Sequence, residues 1–188
     1  MQNKKIISFV QSLILLPALT LNPVSFNMSN EAPKVEAGPV VQTLKIKAQA
    51  IDEYFEARSM PMKGLGEKLA LEAEKNGLDW RLLAAISVRE STGGKFACKK
   101  AGYNAFGWGS CKIGFDSHED AIEVVARNLG GNNPKTAKRY AGKTTKGILQ
   151  TYNPPSIVLR YAEQVMAIMD TISEPTPELK KELAQASA

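Results

Sequence analysis

Residues that commonly bind metal ions are scarce in this chain of 188 residues, which contains one His and two Cys. A structural zinc site uses four such ligands, so we expect no metal site, and we assign no cofactor. No stripe of Lys and Arg alternates with aromatic residues, which argues against a nucleic-acid partner. The composition, 44% apolar and 23% charged, is typical of one soluble globular domain with some chain left over.

The charge balance is moderately positive, because 24 Lys and Arg exceed 19 Asp and Glu and give a formal charge of +5. This balance favours an anionic partner, such as an acidic wall polymer or a membrane surface.

The N-terminus has the pattern of an export signal. Lys4 and Lys5 precede an uncharged, apolar run of 16 residues from Ile6 to Leu21, which falls short of the roughly 20 residues that comfortably span a bilayer. The region contains no clean cleavage site, so a cleaved signal peptide and an uncleaved membrane anchor both stay open for residues 1–27. Either alternative predicts a protein that is secreted or extracytoplasmic.

Composition divides the rest of the chain into three parts. Residues 28–41 are predicted to form a flexible tether and residues 173–188 a disordered tail, because both are polar, contain Pro and lack periodicity. Residues 42–172 are predicted to form one α+β, mainly helical domain, with an inserted loop or small sheet at residues 95–116. We expect a monomer. Helical spacing or start signals mark these segments: Leu44–Ser59, Gly66–Asn76, Trp80–Glu90, a helix capped by Ser117, Lys135–Tyr140, Thr145–Tyr152 and a last helix starting at Asn153–Ser156. The apolar stripe predicted for this last helix is Ile157, Tyr161, Val165, Ile168 and Ile172.

Glu90 occupies a position where a carboxylate does not help stability. At about 100° per residue, it lies within roughly 40° of Leu83 and Ile86, on the apolar face of its helix. Burial and the partial negative charge of a helix C-terminus both disfavour the ionised form. This is the environment that a glycosidase general acid needs. The alternative is a structural ion pair with a nearby base: Arg81, Arg89 or Lys95.

An aromatic segment follows this helix. Tyr103–Gly109 contains three aromatic residues and two glycines in seven positions. Aromatic rings offer flat apolar faces to sugar rings, and glycines allow a close backbone approach. We expect Phe106 in the core. Tyr103, Asn104 and Trp108 either line a sugar-binding cleft or fill a small core.

The residues Leu78–Gly94, followed by Asn104–Gly107, resemble the core of lysozyme-superfamily peptidoglycan hydrolases. The resemblance is to glycoside hydrolase family 73, the mannosyl-glycoprotein endo-β-N-acetylglucosaminidase-like domain, in which a Glu-Ser pair before glycine precedes an Asn-x-Phe-Gly motif. It implies a lysozyme-like fold and cleavage of the β-1,4 bond next to N-acetylglucosamine in peptidoglycan strands. Glu90 would then be the catalytic acid, and Ser91 would belong to the substrate site and position that acid.

The same resemblance extends to two further parts of the site. Tyr152 and Asn153 resemble the Tyr-Asn element that lines the cleft in lytic transglycosylases of this superfamily. Glu119 best matches the distance at which the family places its second catalytic acid, although capping the helix after Ser117 also explains it. Asp116 and Asp120 are the other candidates. A transglycosylase needs no second carboxylate, because a hydroxyl group of the substrate attacks.

Cys98 and Cys111 flank the aromatic segment, so export would allow a disulfide that closes this loop. The alternative is two buried free thiols. The function predicted from the sequence is a peptidoglycan hydrolase with Glu90 as its acid. Two alternatives stay open, namely a lytic transglycosylase and a non-catalytic peptidoglycan-binding module.

Overall fold

The computed structural model of the chain describes residues 39–172 and the single positions 177 and 181. The predicted signal or anchor at residues 1–27 lies outside the described residues, as do nearly all of the predicted tether and tail. The described residues belong to one compact unit. None of the helices in these ranges is long and apolar enough to cross a membrane.

Helices dominate the described part of the chain, which confirms the mainly helical prediction. In chain order they are α1 (Pro39–Glu56), α2 (Gly66–Lys75), α3 (Leu82–Ser91), α4 (His118–Leu129), α5 (Ala137–Tyr140), α6 (Thr145–Tyr152) and α7 (Tyr161–Thr171). The bounds of α6 are those predicted, and α1 begins at Pro39, within the predicted tether. Ser117 caps α4 as predicted, since its hydroxyl accepts a hydrogen bond from the Asp120 amide at 3.1 Å.

The expected β component is not found between residues 39 and 172. Residues 95–116 form a loop of successive turns rather than a small sheet. Tyr103, Gly107, Gly109, Ser110 and Cys111 all adopt positive φ in this segment. A strand needs extended backbone over consecutive residues, so these left-handed positions prevent a regular ladder.

The predicted start of the last helix at Asn153–Ser156 is wrong. The Pro154 carbonyl accepts hydrogen bonds from the amides of Ile157 and Val158 and closes a single turn. Arg160 then adopts a left-handed conformation with φ of 61°, which interrupts any helix, and α7 begins at Tyr161. Ile157, expected on the apolar stripe of this helix, is instead 75% exposed.

Helix α3 is the centre of the core and packs against α2, α4 and α7. It begins at Leu82 rather than Trp80, because the Asp79 carboxylate accepts a hydrogen bond from the Arg81 amide at 2.9 Å and holds a turn there. Leu83 and Ile86 are fully buried, and each contributes about 1.5–3 kcal/mol of hydrophobic stabilisation. The core therefore fixes α3 firmly and presents its C-terminal end, where Glu90 lies, to the neighbouring loops.

Candidate functional site

A cavity of about 500 Å³ opens beside the C-terminal end of α3. Its volume lies within the range of small-molecule and oligosaccharide sites. The lining comes from the end of α3, the aromatic loop, the end of α5, and the end of α6 with the turn after it: Glu90, Gly107, Trp108, Gly109, Ser110, Arg139, Tyr140, Thr151, Tyr152, Asn153 and Ile157. Four residues predicted from the sequence meet here: Glu90, Trp108, Tyr152 and Asn153.

The Glu90 carboxyl group is half-buried, and its two oxygens have different surroundings. Oε1 accepts a hydrogen bond from the Tyr161 hydroxyl at 2.6 Å, whereas Oε2 has no hydrogen-bond partner among the described residues. Burial raises the pKa of Glu90 above its ordinary value, and the Tyr161 hydrogen bond and the Arg89 charge act in the opposite direction. The carboxyl group thus has one oxygen anchored by Tyr161 and one oxygen without a partner among the described residues.

The alternative of a structural ion pair does not hold for Glu90 within the described ranges. The Arg81 guanidinium pairs with Asp79 at 2.8 Å. The Arg89 side chain donates a hydrogen bond to Gln164 at 2.9 Å. Glu90 makes no salt bridge with any described residue, so its placement is not explained by charge pairing.

Tyr161 is a site residue that the sequence analysis missed. Its position in the apolar stripe of the last helix suggested only a core role, and its ring is indeed 2% exposed. A buried tyrosine hydroxyl nevertheless needs a hydrogen-bond partner. The need of this hydroxyl for a partner was the signal that could have identified Tyr161. Nothing in the sequence of α7 indicated that the partner lies on α3.

Three aromatic rings stand together beside Glu90. The Tyr152 ring stacks on the Tyr161 ring, with centroids 6.0 Å apart and an interplanar angle of 16°. The Trp108 ring lies 5.7 Å from the Tyr152 ring on another side. The Tyr152 hydroxyl donates to the Phe106 carbonyl, which ties α6 to the aromatic loop. Trp108 and Tyr152 also line the cavity, so together they give it an aromatic wall.

Gly107 permits the close approach of the aromatic loop to the acid. Its φ is +63°, and a Cβ atom at this position would lie 2.9 Å from Oε2 of Glu90. Any side chain here would therefore be strained and would collide with the carboxyl group.

Asn104 and Ser91 do not line the cavity, which corrects the expectation that they contact substrate. Asn104 is fully buried, and its amide nitrogen donates to the carbonyls of Trp108 and Ile113 while its oxygen accepts from the Trp108 amide. The Ser91 hydroxyl donates to the Ala105 carbonyl at 2.7 Å. Both residues hold the aromatic loop in shape and attach it to α3, because their polar atoms are used up by backbone partners.

Two other predicted site residues lie away from this cavity. Tyr103 is 50% exposed and packs edge-to-face on His118 with ring centroids 5.2 Å apart. Glu119 lies in the first turn of α4, where hydrogen bonds from its own backbone amide and from Ser117 lower its pKa. Glu119 therefore serves as a helix-terminal acid. Asp116 and Asp120 are likewise absent from the lining, so Glu90 is the single carboxylate among the described residues that line the cavity.

A disulfide joins Cys98 and Cys111, the pair suggested by the sequence, with Cα atoms 5.5 Å apart. The Cys98 amide also donates to the Asn104 carbonyl at 3.3 Å. The disulfide thus acts on the same loop as the Asn104 side chain, because Cys111 lies between Trp108 and Ile113, whose carbonyls both accept from that side chain. In the described part of the chain, no group of three or more His, Cys, Asp or Glu residues is placed to hold a metal ion.

Comparisons of the chain with protein-family models, with curated proteins and with solved structures find no match.

Proposed function

We propose that this protein is a peptidoglycan glycosidase that cleaves the β-1,4 bond next to N-acetylglucosamine, with Glu90 as the general acid. The observation that carries the proposal is the environment of Glu90, a half-buried carboxyl group of raised pKa in a cavity with an aromatic wall. A glycosidase acid must keep its proton until it delivers it to the leaving oxygen. The resemblance of residues 78–94 and 104–107 to family 73 supports the same assignment.

The two oxygens of Glu90 fit the two requirements of an acid catalyst. Because Oε1 accepts the Tyr161 hydrogen bond, the carboxyl group is held in one orientation. Oε2 carries the proton and, having no partner among the described residues, transfers it to the glycosidic oxygen. Trp108 and Tyr152, which both line the cavity, provide apolar aromatic surface for the sugar rings beside the bond.

A lytic transglycosylase is the second candidate, and a specific observation favours it. Hydrolysis by two carboxyl groups needs a second one about 5–9.5 Å from the acid, and no second carboxylate lines the cavity among the residues that the structure describes. In a transglycosylase the C6 hydroxyl of the substrate attacks the anomeric carbon, so the product is a 1,6-anhydro sugar. A hydrolase instead adds water and leaves a reducing end.

Digestion of purified peptidoglycan tests the proposal. We expect the full chain to release soluble fragments, Glu90→Gln to bind the wall without releasing them, and the control Glu119→Gln to behave like the parent. Mass spectrometry of the fragments distinguishes reducing ends from 1,6-anhydro ends. Near-normal turnover by Glu90→Gln would overturn the acid assignment. Binding by the parent chain without any release would indicate a wall-binding module instead.

A further inference from the structure

The α5 side of the cavity carries two polar groups that the acid and the aromatic wall do not use. Arg139 and Tyr140 are consecutive residues at the end of α5, and both line the cavity. The turn before α5 is held by Asn128, a buried residue of α4, whose side-chain oxygen accepts hydrogen bonds from Thr136 at 2.7 Å and from Asn133 at 3.0 Å. These two hydrogen bonds fix the four-residue helix α5 to the core.

The Tyr140 side chain is 6% exposed, yet its hydroxyl makes no hydrogen bond with any described residue. A polar group without a protein partner needs solvent or a ligand as its partner. The Tyr140 oxygen is not among the fully enclosed unpaired atoms, and the residue lines the cavity. The hydroxyl is therefore accessible and can donate to a group bound in the cavity. Burial raises the pKa of Tyr140, so this donor keeps its proton.

Arg139 is the only cation among the described residues that line the cavity. Its guanidinium forms no salt bridge or hydrogen bond with them. A second cation lies close by, because the Lys143 ammonium donates to the hydroxyl of Thr151, another lining residue, at 2.8 Å. Glu90 is the single acid among the described residues of the lining, and it forms no salt bridge with Arg139 or with any other described residue. The exposed Arg139 side chain therefore presents a positive charge at the cavity that no described carboxylate pairs with.

We infer that Arg139 and Tyr140 form a subsite for a carboxylate group on the substrate, an inference that rests on the proposed function. A guanidinium presents two parallel N–H donors to a carboxylate, and a phenol adds a third donor. A neutral sugar hydroxyl would use Tyr140 but would leave the charge of Arg139 unbalanced. Peptidoglycan carries carboxylates on its peptides and, where a peptide has been removed, on the lactyl ether that held it, whereas chitin carries none. The subsite therefore selects anionic amino-sugar polymers over neutral ones.

Calorimetric binding measurements on the full chain carrying Glu90→Gln test this inference without cleavage of the probe. The probes are chitohexaose, a peptide-free peptidoglycan hexasaccharide with free lactyl carboxylates, and the same hexasaccharide with its peptides. We expect Arg139→Met to weaken binding of a carboxylate-bearing probe about tenfold, equivalent to about 1.4 kcal/mol, and to leave chitohexaose unchanged. Tyr140→Phe should act in the same direction. Lys138→Met is the matched control, because it removes the neighbouring charge at a residue that does not line the cavity.

The three probes separate the outcomes. A loss of affinity confined to the peptide-bearing probe assigns the carboxylate to the peptide, and a loss confined to the peptide-free probe assigns it to the lactyl group. A loss on both probes, with chitohexaose unchanged, shows that the subsite accepts either carboxylate. Equal effects of Arg139→Met on all probes, or effects no larger than those of Lys138→Met, would overturn the subsite while leaving the proposed function intact. If the Glu90→Gln chain binds none of the three probes, the proposed function fails and the subsite with it.

Discussion

Replacing Tyr161 with phenylalanine isolates the contribution of one hydroxyl to the acidity of Glu90. The ring stays, so its stacking on Tyr152 is kept. The lost interaction is the 2.6 Å hydrogen bond to Oε1, which lowers the pKa of Glu90 against the effect of burial. Without it, burial dominates and the pKa of Glu90 rises further.

The size of this change follows from the strength of the bond. A hydrogen bond to a charged group contributes about 1.5–3 kcal/mol, and one pKa unit corresponds to about 1.36 kcal/mol. Because the carboxyl is only half-buried, the lower value applies, and the pKa should rise by about one unit. Under the proposed function the protonated form is active, so the alkaline limb of the pH–rate profile should move upward by about one pH unit. The maximal rate should fall about tenfold, because the acid is no longer held in one orientation.

The assay is the initial rate of fragment release from purified peptidoglycan, measured from acidic to alkaline pH. Tyr103→Phe is the control, since Tyr103 is 50% exposed and lies outside the cavity; its profile should match that of the parent. An alkaline limb that stays in place or moves to lower pH in Tyr161→Phe would refute the reasoning. A lower rate with an unchanged pH–rate profile would mean that Tyr161 contributes to packing and not to the acidity of Glu90.

Other consequences concern stability and the aromatic loop. Glu90→Gln should raise Tm at neutral pH, because burial penalises the ionised carboxylate, and the gain should vanish as pH falls below the ordinary pKa of 4.5. Asn104→Ala should cost about 2–4 kcal/mol in unfolding free energy, because it removes three hydrogen bonds to the partly buried backbone of the loop. Trp108→Ala should weaken glycan binding more than it lowers Tm, because the ring lines the cavity. Mild reduction of Cys98–Cys111 should lower activity before helical content, because both cysteines lie in the loop of residues 95–116 and outside α1–α7.

Thermal melts followed by circular dichroism, beside glycan binding and activity, check these four expectations. A Tm gain for Glu90→Gln that persisted at acidic pH would contradict the role of burial. An unchanged unfolding free energy of Asn104→Ala would show that the side chain of Asn104 does not hold the loop in shape. Unfolding of Trp108→Ala with normal binding by its folded fraction would make Trp108 a core residue. Full activity after confirmed reduction of the disulfide would show that the site does not need the disulfide.

Local pattern was enough to single out Glu90. Its carboxylate falls on an apolar helical face four residues after Ile86, and helical geometry turns that spacing into burial without knowledge of the tertiary fold. Helix α6 and the Ser117 cap of α4 were predictable for the same reason, since periodicity and capping act within a few residues.

The remaining site depends on contacts between distant parts of the chain. The sequence motif suggested that Asn104 is a substrate ligand. Its structural role becomes visible only in the fold, where residues 107–113 wrap around its side-chain amide. The start of α7 is set by the left-handed backbone at Arg160. Because this residue is neither glycine nor proline, the sequence does not indicate a helix boundary there. Arg139 and Tyr140 belong to a helix of four residues, and only its packing against α4 and α6 brings them to the cavity.

The hydrogen bond between Tyr161 and Glu90 connects residues 71 positions apart. It forms only when α7 docks on α3, and α7 is the last complete helix that the structure describes. Contacts of such long sequence separation form late, since closing a long loop is entropically costly. A nascent chain that has emerged only as far as α6 thus contains the acid and the aromatic loop but not the hydroxyl that orients the carboxyl group. Under the proposed function, synthesis itself delays the cleavage activity until α7 has been made.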